Sequence, residues 1–158
     1  MYITYSEYAE LYDGIDEKCF VRLATEACRV MDIHTSGIDN VKKLREFFPE
    51  NAEDVAAVKF CTAKLINTMH TIGQMELSSG YVANGQGLQG RIISSITSGN
   101  ESVSYATGSA TVLDEAVKDI NVRSKLYADI VCMYLRGVLD ANGVNLLYKG
   151  KYPRRYVC

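Results

Sequence analysis

The stretch that most constrains the fold is GRIISSITSGNESVSYATG, Gly90 to Gly108, two alternating runs on either side of Ser98-Gly99-Asn100-Glu101. A two-residue Gly-Asn loop between alternating segments signals a β-hairpin, because glycine supplies the positive φ that a type II′ turn needs. With Gly99 and Asn100 at the tip, Ile96 falls opposite Val103, Ser94 opposite Tyr105 and Ile92 opposite Thr107, all on one side. The other side carries Arg91, Ser95, Thr97, Ser102 and Ser104, and Ile93 is its one large apolar residue. Such alternation suits a ribbon with one buried and one wet face. A lone two-stranded ribbon is marginal in water and leaves both long edges unpaired. Ile92, Ile93, Ile96, Val103 and Tyr105 are therefore the candidate interface residues, to be covered by the rest of the chain or by a neighbouring subunit.

The rest of the chain reads as helix. Thr4-Tyr5-Ser6-Glu7 has the pattern of a capping box, followed by Tyr5, Tyr8 and Tyr12 at helical spacing and by Asp13-Gly14 as a stop. That tyrosine face suits either core packing or a subunit contact. Asp16 is placed to cap a long helix to about Thr35, with Phe20, Leu23, Ala24, Ala27 and Met31 in its apolar stripe. Ser36-Gly37 breaks it. Asp39 can cap a short helix through Phe47 and Phe48 that Pro49 stops. A second long helix starts at Asn51 and runs to about Leu77, burying Val55, Val58, Leu65, Ile66, Met69 and Ile72.

Residues 78–90, SSGYVANGQGLQG, are too glycine-rich for a helix or strand and read as a mobile loop leading into the hairpin. Thr111 and Asp114 mark a third long helix through Val117, Ile120, Tyr127, Ile130, Val131, Tyr134 and Val138, ended by Asn142-Gly143. Pro153 excludes regular helix from the tail, which reads as an extended arm. The expected fold is thus mainly α: a small bundle of three long helices plus short N-terminal helices, with a protruding β-hairpin at about 91–106. A single domain is expected over 1–143, including the hairpin segment 90–108, with the C-terminal arm over 144–158.

Composition excludes several functions. The formal net charge is −2 over 158 residues and no block is polybasic, which argues against affinity built on phosphate neutralisation. The longest apolar runs are too short for a bilayer span, and the opening lacks a signal-peptide layout. The five cysteines, Cys19, Cys28, Cys61, Cys132 and Cys158, never stand at C-x-x-C spacing. They read as reduced thiols, the first four as small core residues.

Gly85-x-Gly87-x-x-Gly90 has dinucleotide-fingerprint spacing, but that motif works only after a strand and at the start of a helix. His34 and His70 have no helical ligand partner, so no metal site is expected. No cysteine has a neighbouring base, and Glu53-Asp54 and Asp114-Glu115 sit at helix starts where acids serve the dipole. The expectation is no catalytic residue, no metal, no cofactor and no enzyme. Lys149, Lys151, Arg154 and Arg155 form the one basic cluster, which either keeps a terminal arm soluble or pairs with an acidic surface or phosphate.

YITYSEYAELYDGIDEKCFVRLATEACRVMDIHT, EDVAAVKFCTAKLINTM, RIISSITSGNESVSYA and NLLYKG occur in this order along nearly the whole chain. Together they resemble the head–tail connector (adaptor, or head-completion) proteins of tailed bacteriophages and prophages. The most specific parts are S-x-x-x-G-x-x-S-V-S-Y from Ser95 to Tyr105 and L-L-Y-K-G from Leu146 to Gly150. The resemblance implies a homo-oligomeric ring, usually a dodecamer, beneath the portal protein. Such a ring carries the stopper or tail-completion protein and extends a channel through which DNA passes without sequence-specific binding. By that analogy Leu146, Leu147, Tyr148 and Lys149 form the portal-binding arm, and the hairpin contacts neighbouring subunits. The location implied is the virion, with assembly in the host cytoplasm and no membrane. Two alternatives stand beside it. One is another phage morphogenesis or cytosolic interaction protein using the hairpin for a different partner. The other is a nucleotide-using enzyme built on the glycine-rich loop 85–90.

Overall fold

A computed structural model describes residues 1–78, 82–84, 87–89, 95–98, 101–104 and 111–153. The chain divides into two compact units, Met1–Met69 with Tyr127–Cys158 and, separately, His70–Leu126. Both boundaries fall inside helices, so no linker-like change in composition marks them.

In the first unit, α1 (Tyr5–Ala9) starts with the expected capping box. The Glu7 amide donates to Thr4 Oγ1 at 3.3 Å and the Thr4 amide to Glu7 Oε2 at 2.8 Å, so two free donors are satisfied reciprocally. Gly14, at φ +92°, turns the chain into α2 (Glu17–Thr35), capped by Asp16 on the Cys19 amide at 2.6 Å. Phe20, Ala24, Ala27 and Met31 are buried along α2 as their spacing requires. α4 (Ala52–Ser78), about 40 Å long at 1.5 Å per residue, follows the short α3 (Lys43–Glu46). It buries Val58, Cys61, Leu65 and Ile66 completely. Thr62 joins the two long helices: its hydroxyl lies 3.1 Å from Met31 Sδ and donates to the Val58 carbonyl at 2.8 Å. Full burial of one such aliphatic side chain contributes about 1.5–3 kcal/mol.

Three sequence expectations about the helices fail. Asp39 does not cap α3; Lys42 holds the N-cap position with no side-chain bond, and Asp39 accepts the Tyr152 amide instead. The third long helix is split into α5 (Val112–Lys118) and α6 (Ile120–Tyr134). Asp119 between them is extended, with its carboxylate accepting the Asn121 amide at 2.7 Å, so it starts a new helix rather than continuing the old one. α6 also ends earlier than its apolar spacing suggests. Gly137 at φ +86° turns the chain, and Val138 belongs to the segment beyond, where Leu139 bridges Asn145.

The second unit holds the end of α4, α5 and the start of α6. Thr111 and Asp114 make a complete capping box on α5. Arg123 donates through Nε to the Ala116 carbonyl at 2.9 Å and ion-pairs with Glu76. Between α4 and α5 the backbone pairs antiparallel twice. β1 (Val82–Asn84) lies against β2 (Gly87–Gln89) inside the stretch read as too glycine-rich for a strand. β3 (Ser95–Ser98) lies against β4 (Glu101–Ser104) with Ile96 opposite Val103. The hairpin expected over 91–106 is not seen as a whole, because 91–94, the tip at 99–100 and 105–106 lie outside the described residues.

Candidate functional site

The motif L-L-Y-K-G builds the most elaborate polar site in the first unit. Leu146 is completely buried, Leu147 half-buried and Tyr148 exposed. Around this segment stands Lys43, whose residue is only 1% exposed. Its ammonium donates to the carbonyls of Asn145 at 3.0 Å, Leu146 at 2.8 Å and Tyr148 at 2.6 Å. An ammonium has three donors, and all three are used. The Tyr148 ring centroid lies 5.8 Å from the same nitrogen, a cation–π distance. Burial pulls the Lys43 pKa below its ordinary value, and the charge of Asp140, at longer range, opposes that shift. Burying a cation against carbonyl dipoles rather than a carboxylate is costly unless every donor is satisfied, which is the arrangement found.

The next two motif residues complete the docking. Lys149 Nζ reaches the C-terminal carbonyls of α2, among them His34 and Ser36, and the Ile38 amide donates to the Lys149 carbonyl at 3.1 Å. A cation there also complements the negative end of the helix dipole. A Cβ on Gly37 would overlap the Gly150 carbonyl, so close backbone approach requires glycine there, whereas one on Gly150 would meet the outer end of the exposed Tyr148 side chain. Beyond the motif, Tyr152 stacks on Phe47 with centroids 4.8 Å apart, and its hydroxyl donates to Asp140 Oδ2 at 2.6 Å. Asp140 Oδ1 in turn accepts the Asn142 and Val144 amides, each at 2.9 Å. The arm expected over 144–158 is therefore not free through residue 153. It is a strap closed onto α3 and the end of α2. Leu146 faces the core and offers nothing to a partner while docked; Tyr148, Lys149, Lys151 and Pro153 are the exposed positions of the described strap.

A second polar centre holds the opposite end of the chain. Asp32, 5% exposed, accepts from the Tyr2 hydroxyl and from Arg45 Nε. Burial, then the bond to Asp32, pushes the Tyr2 phenol above its usual range. Two clefts flank this contact. One of about 520 Å³ is lined by Ile3, Glu7, Leu44, Arg45, Phe48 and Lys59 among others. The second, about 380 Å³, lies by Thr25 and Cys28. Lys59 pairs with Glu7, and that bond, followed by those from Thr4, holds the Glu7 carboxyl at about 2.

The other sequence-derived residues fall as follows. Ile92, Ile93 and Tyr105 lie outside the described residues, and Ile96 and Val103 are placed by backbone alone. Gly87 opens β2 rather than a helix, so the described part of the glycine-rich stretch lacks the context a dinucleotide fingerprint needs. Tyr8 is buried against Phe20 and Tyr12, which assigns that member of the tyrosine face to the core. Among the described residues its hydroxyl has no hydrogen-bond partner. Cys28 and Cys61 are buried as expected; burial pushes the Cys61 thiol up to about 12. Cys19 is half-buried and Cys132 exposed, against expectation, because both fall off the inward stripe of their helices. His34 is half-buried, its pKa lowered by burial and then by Lys149. His70 Nε2 lies 3.2 Å from Gln74 Nε2. Among the described residues no three His, Cys, Asp or Glu side chains are grouped to hold a metal. Nor is any helix there long and apolar enough to cross a membrane.

No protein-family model, curated protein or solved structure matches the chain. Lys43, Asp32, Asp140 and Tyr152 were not singled out by sequence. Lys43 stands in KKLREFF, a stretch that reads only as a short helix, and its acceptors lie 102 to 105 residues away.

Proposed function

We propose that this chain is a structural virion protein of a tailed phage or prophage, a subunit of a homo-oligomeric ring, of dodecamer size by the resemblance, beneath the portal. In this reading it joins capsid to tail, extends the DNA channel and seats a stopper or tail-completion protein. It acts by assembly, without catalysis or cofactor. The observation that carries the reading is the pair β3 and β4. Among the described residues these strands pair only with each other, so both outer edges keep unpaired backbone groups. A neighbouring copy can satisfy them through a head-to-tail contact that closes into a ring. The ordered set of motifs shared with connector proteins supplies the identity of the partner.

The docked strap changes which residues are proposed for the portal. Leu146 anchors the segment internally, and the contact falls to Tyr148, Lys149, Lys151 and the residues after Pro153. The test is co-expression with the cognate portal protein, followed by light scattering and particle imaging. A ring on the portal is expected, lost in Ile96→Asp and Val103→Asp while helical content holds. Failure to co-purify with portal, or normal rings from both variants, overturns the reading.

A further inference from the structure

We infer that residues 145–152 are a latch held shut by the single buried ammonium of Lys43, which opens as one piece while the long helices of the same unit stay folded. This inference does not depend on the virion reading. The segment is non-helical, and few of its bonds are internal: the Tyr148 amide to the Asn145 carbonyl at 3.0 Å, and the Leu147 amide to Asn145 Oδ1 at 2.8 Å. Nearly everything else that holds it crosses to another element. Three carbonyls converge on Lys43, Lys149 crosses to the end of α2, and the Tyr152 amide crosses to Asp39 at 2.8 Å.

The convergence makes those ties cooperative. Removing one side chain takes the ammonium from three carbonyls at once, and although the Asn145 carbonyl keeps the Tyr148 amide, the three ties to Lys43 are kept or lost together. Closing also brings the Gly150 carbonyl so near Gly37 that a Cβ on Gly37 would overlap it, a close approach between the segment and the end of α2. By contrast, α2 and α4 hold each other directly through Met31 and Thr62, without the strap between them. The two sets of contacts are separable, and the set at the chain's end is the one closed by a single group.

Three amides report the latch: Leu146 on the Val138 carbonyl at 3.0 Å, Ile38 on the Lys149 carbonyl at 3.1 Å, and Tyr152 on Asp39. The test is native-state hydrogen exchange on the full chain across a low-denaturant series, for wild type and Lys43→Met. In the wild type these amides are expected to exchange together, faster than the cores of α2 and α4 and with weak denaturant dependence, as local opening requires. In Lys43→Met their protection should fall by about tenfold or more beyond any change in α2 and α4. Exchange of the three amides only along with α2 and α4 in the wild type overturns the latch. So does an equal loss of protection in latch and helices in Lys43→Met. If that variant does not fold, the wild-type series decides alone.

Discussion

Two cationic residues of α3, Lys43 and Arg45, hold the C-terminal strap and the N-terminal segment, and they do so differently. Lys43 is sunk beneath the C-terminal strap and spends its charge on three backbone carbonyls. Arg45 lies at the surface, its side chain 56% exposed, and helps the Tyr2 hydroxyl to fix the N-terminal segment on Asp32. The C-terminal contact is closed, with Leu146 and Tyr152 buried beside it. The N-terminal one is open, flanked by clefts of about 520 and 380 Å³ that water can fill. The same kind of charge therefore has different worth: inside, little water is present to replace the bonds of the ammonium, whereas outside, water competes for every donor.

The comparison breaks most readily at Leu146. Leu146→Ala removes a completely buried side chain and should cost about 2–4 kcal/mol by urea unfolding, capped by the free energy of opening the strap. A cost under about 0.5 kcal/mol would mean the strap is not part of the folded core. At the other end, Asp32→Ala takes away the acceptor for both Tyr2 and Arg45 and should cost about 1–3 kcal/mol. Arg45→Ala leaves the Tyr2 bond in place and should cost about 1 kcal/mol or less. An Arg45 effect equal to that of Asp32 would erase the distinction between a closed and an open contact.

Acid sharpens it further. The Glu7 carboxyl is held at about 2 against an ordinary 4.5, first by Lys59 and then by Thr4. Its contribution is complete above pH 4.5 and drains away as the pH falls toward 2. Glu7 is solvated, so the loss should be below about 1 kcal/mol and should shrink in salt. The depressed Asp39 carboxyl, held chiefly by the Tyr152 amide, adds a component with the same sign on the strap. Thermal melts from pH 6 to 2.5 on wild type and Glu7→Gln check the first term: the variant should lose less stability across that range. The smallest effect belongs to Tyr8→Phe. The hydroxyl is buried without a partner among the described residues, so removing it should be neutral or slightly stabilising, within about 0.5 kcal/mol. A destabilisation beyond about 1 kcal/mol would reveal a hydrogen bond at that hydroxyl.

Much of the helical framework was legible because its signals are local. Thr4 with Glu7, Asp16, and Thr111 with Asp114 each satisfy amides within three residues, and all three start helices where the sequence places them. The stripe of α2 follows from a period of 3.6 alone. Two of the failures have local causes and one does not. Asp119 interrupts an apolar spacing that runs on past it, and Gly137 ends α6 before Asn142-Gly143. Asp39 has the residue type of a helix cap, but a distant amide claims its carboxylate.

By itself the sequence determined what short-range chemistry controls: where helices begin, which face of α2 and α4 turns inward, and that Ile96 should stand opposite Val103. It also marked L-L-Y-K-G as distinctive without saying what the motif meets. Only the tertiary structure decided that the motif closes on its own chain, that a lysine from a charged stretch is buried, and that Asp32 joins the N-terminal segment to α3. Those outcomes depend on groups about 13 to 105 residues apart meeting in one desolvated place. A charge has no way of signalling in sequence whether water or three carbonyls will surround it.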